Sequence, residues 1–283
     1  MSDSAKAAEA ADDKKPPTAL EETVEIIKTV VYALAIALFL RVLFFQPFTI
    51  PSESMEPALL KGDYIIVSKW SYGYSRHSIP FSPPIFSGRI FGQTPTRGDI
   101  VVFKLPRDGH TDFIKRLIGL PGDRIQVRGG VVFVNDVAIP RQDVGPIPDP
   151  GEPSLTVEQF RETMSNGRSY VTFDRGPNGG ADDTQVYTVP QGCYFMMGDN
   201  RDNSLDSRFD PDLQGKPDLG CTFPPSASDG IVFMQAGVGF VPAENLVGKA
   251  QIIMLSWDKD ATIFKPWTWF LNARPDRFFR GLY

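Results

Sequence analysis

Apolar and polar positions follow three regimes along the chain. The opening stretch, MSDSAKAAEAADDKKPPTAL, mixes Ala, Asp and Lys without apolar periodicity and predicts a flexible tail over residues 1–25. From Ile26 to Phe45 the run IIKTVVYALAIALFLRVLFF carries charge only at Lys28 and Arg41. It has the length of about 20 residues that a helix needs to cross a hydrocarbon layer, and both charges lie where they can snorkel outward. A cleaved secretory signal is the rival reading. The run starts too far into the chain, lies behind an acidic tail and lacks a small-x-small cleavage site, so a retained transmembrane helix over 26–45 is expected. Lys6, Lys14, Lys15 and Lys28 precede the span or lie at its start. The positive-inside rule counts these and largely ignores acids, which puts the amino terminus on the cytoplasmic side and residues 46–283 on the other.

Beyond the span the period becomes two. DYIIVSKW from Asp63, DIVVFKLP from Asp99, DFIKRLIGL from Asp112, IQVRGGVVFVNDVAI from Ile125, SYVTF from Ser169, QVYTVP from Gln185, CYFMMGD from Cys193, GIVFMQ from Gly230 and KAQIIMLSW from Lys249 are short and rich in Val, Ile, Phe and Tyr. Gly, Pro or Asp closes them, as expected of strands. Only TVEQFRETM from Thr156 reads as helical. The 25 glycines and 25 prolines supply turns. The expected fold class is therefore mainly β, packed antiparallel sheets or a partly closed barrel behind an N-terminal transmembrane helix. Residues 141–180 form a variable excursion or small subdomain. SIPFSPPIFSGRIFG, from Ser78, and the aromatic, Arg-containing tail 264–283 have the composition of segments that meet a lipid interface.

Composition narrows the function. A chain of 283 residues with 42% hydrophobic side chains can bury a sizeable core. The formal net charge of -5 gives no support for a nucleic-acid surface, so nucleic acid is not an expected partner. The two cysteines, Cys193 and Cys221, can pair or stay free, and nothing in their spacing decides it. HExxH, GxGxxG, GxSxG and the phosphate loop are missing. DPDLQGKPDLGC from Asp210 has calcium-like offsets but places Cys221 where a bidentate Glu is needed, and reads as a polar loop. The two histidines, His77 and His110, fall in polar turns and read as surface residues.

A serine hydrolase without a histidine base needs another, and a lysine held neutral can serve. Its amine titrates near about 10.4 in water, and desolvation lowers that by several units. In DFIKRLIG the strand period places Lys115 on one face with Phe113 and Leu117. Lys104, beside Pro106, is the competitor. Directly after the apolar run, PSESMEP sets Ser52 and Ser54 two residues apart, so that an extended chain turns both hydroxyls to one side. One can attack while the other, with a backbone N–H, stabilises an oxyanion. GDNRDNSLDSR from Gly198 reads either as a solvated turn or as a brace held by an Asp–Arg pair.

These phrases resemble those of the bacterial type I signal peptidases, or leader peptidases. PSESMEP resembles their nucleophile segment, GDYIIVSKW and RGDIVVFKLP the next two blocks, DFIKRLIGLPGDRI the lysine block and MGDNRDNSLDSR the late block; GFVPAENLVGKAQIIMLSWD resembles the segment after it. The resemblance implies a membrane-bound Ser-Lys endopeptidase that removes signal peptides from exported preproteins, with no cofactor and no metal. It implies Ser54 as nucleophile, Lys115 as general base, and the Ser52 hydroxyl with the Ser54 N–H as oxyanion hole. Ser204 would hydrogen-bond the lysine, Asp206 and Arg208 would brace the loop, and Asp112 would join that set. Phe48, Ile50, Leu59, Val101, Val102 and Ile114 would wall the pockets for small substrate side chains. The implied partners are exported preproteins and membrane lipid, with a place near the export translocon. The implied location is the bacterial cytoplasmic (inner) membrane, single-pass, with catalysis on its outer face. Glu53, where relatives often have glycine, would have to face solvent, because a carboxylate nearby favours charged lysine. The alternatives are a membrane-tethered β-domain scaffold and a Ser-Lys self-processing protease.

Overall fold

A computed structural model of the chain describes residues 18–176, 179–213, 219–224, 236–258 and 267–282. The expected tail before residue 18, the strand GIVFMQ at 230–235 and residues 264–266 and 283 of the carboxyl-terminal tail lie outside them. The chain divides after Arg41 into a unit that carries a helix and a unit that carries the sheets.

The helix, α1, runs Ala19–Leu43 and starts seven residues before the apolar run. Thr18 explains the early start: its hydroxyl accepts from the Glu21 N–H while the Glu21 carboxylate accepts from the Thr18 N–H, a reciprocal cap that satisfies free amide groups of the first turn. None of its residues is buried within the protein, and its best 18-residue window has a mean hydropathy of 2.2. At about 1.5 Å per residue it is long enough to cross a bilayer, and it anchors the protein in the membrane.

Among the described residues the main sheet has eight strands. In chain order the strands of the body are β1 (Phe45–Thr49), β2 (Asp63–Ser68), β3 (Ile100–Lys104), β4 (Asp112–Gly119), β5 (Arg124–Arg128), β6 (Val131–Val134), β7 (Val137–Ala138), β8 (Arg141–Pro148), β9 (Thr156–Thr163), β10 (Ser169–Asp174), β11 (Tyr187–Thr188), β12 (Cys193–Met197), β13 (Val241–Pro242), β14 (Leu246–Ser256) and β15 (Arg280–Gly281). The main order is β1-β2-β14-β3-β4-β12-β13, with β15 on β14; β11-β5-β6-β7 and β10-β9-β8 form two smaller sheets. β14 carries three register shifts, and bulges of this kind bend a strand and curl its sheet. At Gly248 a Cβ would stand 2.4 Å from the Ser68 carbonyl oxygen, so only glycine lets β14 pass β2 there.

The period of two sorts the core. Ile65, Val67, Ile100 and Val102 join Met55, Leu59 and Ile253 in one buried cluster. Val101, Phe103 and Leu117 join Tyr72, Tyr194 and Met196 in a second cluster. Each fully buried side chain of this size contributes about 1.5–3 kcal/mol. The predicted helix TVEQFRETM is instead β9, hydrogen-bonded on both sides by β8 and β10. Pairing on both edges outweighs the helical leaning of Glu158, Gln159, Arg161 and Glu162, and Val157 is fully buried. Cys193 and Cys221 form a disulfide.

A buried polar network joins the small sheet of β8–β10 to the main sheet. Arg116 on β4 makes a bidentate pair with Asp199, with both contacts at 2.7 Å. Its guanidinium stacks 4.0 Å from the Tyr170 ring centre, the Tyr170 hydroxyl donates to Glu162 at 2.7 Å, and Arg201 donates to the same carboxylate at 2.5 Å. Removing one partner strands a charge in a dry interior. Arg116→Met is therefore expected to destabilise the body by about 3–5 kcal/mol, and Arg116→Met/Asp199→Leu by less than the single change. Denaturant melts of the two variants check this, and a double variant less stable than Arg116→Met refutes it.

Candidate active site

The segment from Pro51 to Leu60 leaves β1 as consecutive turns, not as the extended stretch expected. The Glu56 N–H donates to the Glu53 carbonyl at 3.1 Å, and the Leu59 N–H to the Met55 carbonyl at 2.9 Å. The turn still brings the two hydroxyls together, with Ser52 Oγ 3.4 Å from Ser54 Oγ. Met55 and Leu59 anchor the loop in the core, and Ser54 is itself buried. The Ser54 N–H donates to no other described residue.

Lys115 reaches this loop from β4, where it stands opposite Val101 between Phe113 and Leu117. Its Nζ lies 2.5 Å from Ser54 Oγ. The amine is 3% exposed as a residue, and burial is the main reason its pKa falls to about 8; Asp206 and Asp199 pull it back up and Arg208 assists the fall. With a pKa of about 8, roughly a tenth of the amine is neutral at pH 7, far more than for a lysine in water, which makes it a competent proton acceptor for the hydroxyl it touches. Lys104 is not part of this arrangement. It pairs with Asp112 at 2.9 Å and donates to the His110 carbonyl at 2.7 Å.

The late block clamps both partners. Asn200 donates through its backbone N–H to the Ser54 carbonyl at 3.2 Å and through its side chain to the Glu53 carbonyl at 3.3 Å. Arg208 holds Asp206 with two contacts, 2.9 and 3.0 Å, and reaches the Arg201 carbonyl at 2.5 Å. Burial alone would raise the Asp206 pKa, but Arg208 and the Gly198 and Arg208 N–H groups outweigh it and keep the carboxylate charged. Gly198 and Asn200 stand within the late block, but no pattern in the sequence assigns either of them a role. A Cβ on Gly198 would lie 2.3 Å from Ser204 Oγ and 2.5 Å from the Ser54 carbonyl oxygen.

A cleft of about 670 Å³ opens onto the pair, and Ser52, Ser54, Phe113, Ile114, Lys115, Ala181, Asn203, Ser204, Leu205 and Phe209 are among the residues that line it. Asn203 and Leu205 belong to the late block, which the sequence marks as a brace, whereas Ala181 and Phe209 stand in no pattern that marks them for the site. β12 pairs only with Arg116–Gly119 of β4, so the cleft-side edge of Asp112–Lys115 has no strand partner among the described residues.

Several expectations need correction. Ser204 borders the cleft, but its buried hydroxyl has no hydrogen-bond partner among the described residues and does not bond Lys115. Asp112 borders the cleft as well, yet its partner is Lys104 and not the late block. Of the pocket candidates only Ile114 borders it. Phe48, Ile50, Leu59 and Val102 pack in the cluster with Met55, and Val101 packs in the cluster with Leu117. Glu53 is half-buried and does not point freely to solvent: Asn203 donates to it at 3.4 Å, and a Cβ on Gly151 would meet it at 2.5 Å. His77 is buried, and burial pushes its pKa down to about 4.

Beneath the loop, Glu56 is buried with one carboxylate oxygen unpartnered, and burial, then Glu53 and Asp149, push its pKa up to about 7. A carboxyl whose folded pKa lies above its unfolded value costs stability as pH rises between the two and beyond. Glu56→Gln is expected to gain stability relative to the parent between pH 5 and pH 8; melts at both pH values check the sign. Gly198→Ala is expected to lower kcat by at least about tenfold by displacing Ser54, a small misplacement being enough for such a loss. Unchanged kcat in a folded variant would show that the close approach is irrelevant to the chemistry.

The signal peptidase, peptidase S26 family model matches residues 23–257. Signal peptidase I of Rickettsia typhi is 40% identical over 269 residues, covering 89% of this chain and 91% of its own. The Rickettsia canadensis enzyme of the same name is 40% identical over 274 residues, covering 90% and 92%. A solved signal peptidase I from Enterococcus faecalis aligns at 24% identity over 56% of this chain and 97% of that one, with a TM-score of 0.28, too loose a superposition to carry geometry across.

Proposed function

The chain belongs to the signal peptidase family, peptidase S26, and on that premise we propose that Ser54 is the nucleophile and Lys115 the general base of its reaction. The protein is a membrane-bound serine endopeptidase that removes N-terminal signal peptides from preproteins. The observation that carries the assignment is the 2.5 Å approach of a buried lysine amine to a serine hydroxyl at the mouth of a cleft.

In this reading an extended precursor segment lies along the unpartnered edge of Asp112–Lys115 and adds a strand there. Ser54 Oγ attacks the scissile carbonyl and passes its proton to Lys115 Nζ. The oxyanion that forms accepts from the Ser52 hydroxyl and the Ser54 N–H. The protonated lysine gives its proton to the leaving amine, and the C–N bond breaks to leave an acyl ester on Ser54. Lys115, neutral again, takes a proton from the water that attacks the ester and returns it to Ser54 Oγ as the acyl–oxygen bond breaks, so that the signal peptide leaves with a free carboxyl group and both residues are restored. Asp206 and Arg208 hold the late block in place, so that Asn200 keeps Ser54 oriented. Ile114, Phe113 and Leu205, which line the cleft, offer apolar contacts for the small side chains before the cut.

The same reading sets the body on the outer face of the cytoplasmic membrane, with the amino terminus inside and the export translocon nearby. The Lys-bearing segment ahead of the apolar run supports that orientation, and so does the disulfide, which belongs to an oxidising compartment. Phe81, Ile85 and Phe91, all exposed in the proline-broken loop, suit a surface that meets lipid.

Lys115→Met in the full chain is expected to fold and insert while cleaving a precursor at least about 10³-fold more slowly, and Ser52→Ala to lower kcat by about 10²–10³-fold. For the parent, kcat/KM is expected to rise with pH and level off above about 8, where Lys115 is neutral. Normal cleavage by Lys115→Met would remove it as the base.

A further inference from the structure

A second cleft, of about 520 Å³, shares no lining residue with the one that holds Ser54. Pro57 and Ala58 wall it from the loop after the nucleophile, Arg161 and Tyr170 from β9 and β10, and Arg277 and Arg280 from the carboxyl-terminal segment. Among the described residues no Asp or Glu lines it. Arg277 is neutralised by Asp63 in a bidentate pair, and Arg116, which also borders the cleft, by Asp199. Arg161 and Arg280 are different: neither guanidinium has an ion pair or a side-chain hydrogen bond with a described residue.

A single exposed arginine is ordinary. Two that border one concave site with no compensating carboxylate create a place for an anion, and a guanidinium fork matches two oxygens of a phosphate. The chain next to Arg280 identifies the kind of phosphate. Phe279, directly before Arg280, is held in the left-handed region at φ 57 and is 67% exposed. Earlier in the same carboxyl-terminal segment, outside the cleft lining, Trp269, Phe270 and Leu271 are exposed as well. A hydrated free phosphate gains nothing from an exposed aromatic side chain beside the arginine that holds it, whereas a headgroup with acyl chains does. We propose that Arg161 and Arg280 bind the phosphodiester of an anionic phospholipid, with Phe279 in contact with its acyl region. This site is independent of the roles given to Ser54 and Lys115.

The test uses the full chain in a non-ionic detergent, titrated with monomeric dihexanoyl-phosphatidylglycerol, dihexanoyl-phosphatidylcholine or inorganic phosphate, with the melting temperature and hydrogen exchange of β9 and β15 as readouts. Phosphatidylglycerol is expected to raise the melting temperature by a few degrees and slow exchange at both strands. The other two are expected to bind at least about tenfold more weakly. Arg161→Gln/Arg280→Gln is expected to melt like the parent without lipid and to lose the response. Phe279→Ser, which keeps both arginines, is expected to weaken phosphatidylglycerol binding. A full response in the double variant overturns the site; inorganic phosphate binding as tightly as phosphatidylglycerol, or no loss in Phe279→Ser, overturns its assignment to lipid.

Discussion

The burial of one amine governs the rest of the site. A lysine in water is a cation and cannot take a proton from serine; the same side chain surrounded by Phe113, Leu117 and Val101 loses the hydration that stabilised its charge. The neighbouring charges are arranged so that this loss is not undone. Asp206 and Asp199 are close enough to favour the ammonium, yet each is engaged by an arginine, Asp206 by Arg208 and Asp199 by Arg116. The two buried ion pairs are costly to desolvate and add little stability. Their use is electrostatic: they let carboxylates brace the site without holding the lysine in its charged form.

Position matters as much as charge. The lysine sits on a strand paired on its other edge by β3, so its backbone is fixed by the sheet, whereas the serine sits on a turn that no ladder restrains. The turn is therefore tied from outside. Asn200 holds the carbonyls of Glu53 and Ser54, Met55 and Leu59 sink into the core, and Arg277 donates to the Ala58 carbonyl at 3.0 Å. Gly198 allows the late block to lie against the nucleophile with no Cβ between them. A hydroxyl on a turn becomes as well placed as a side chain on a strand.

The strands around Lys115 were legible because their apolar residues alternate, and the face that Lys115 shares with Phe113 and Leu117 is set by that period alone. The same rule failed for β9, where Glu162 is turned inward and buried against Tyr170 and Arg201 while both edges are satisfied by neighbouring strands. The pocket candidates failed for a related reason. Ile50, Leu59 and Val102 are apolar residues near the reactive groups along the chain or across the sheet, but in three dimensions they pack in the core with Met55, and apolar lining of the cleft comes from Ala181, Leu205 and Phe209 in other segments. Ser204 was nominated by resemblance to a motif; its hydroxyl is at the cleft but turned to no partner.

The carboxyl-terminal segment links the two clefts. Arg277 binds Asp63 at the start of β2 and the Ala58 carbonyl, so it closes the far end of the same loop whose near end carries Ser54. Three residues later Arg280 borders the second cleft, whose wall includes Pro57 and Ala58. A headgroup held there would border the loop at Pro57 and Ala58 and restrict the one part of the pair that no strand fixes. By the linkage between binding and conformation, a ligand that prefers the ordered loop must also favour it. In that arrangement lipid would act on Ser54 through the short backbone between it and Ala58, while Lys115, locked in the sheet, would remain where it is.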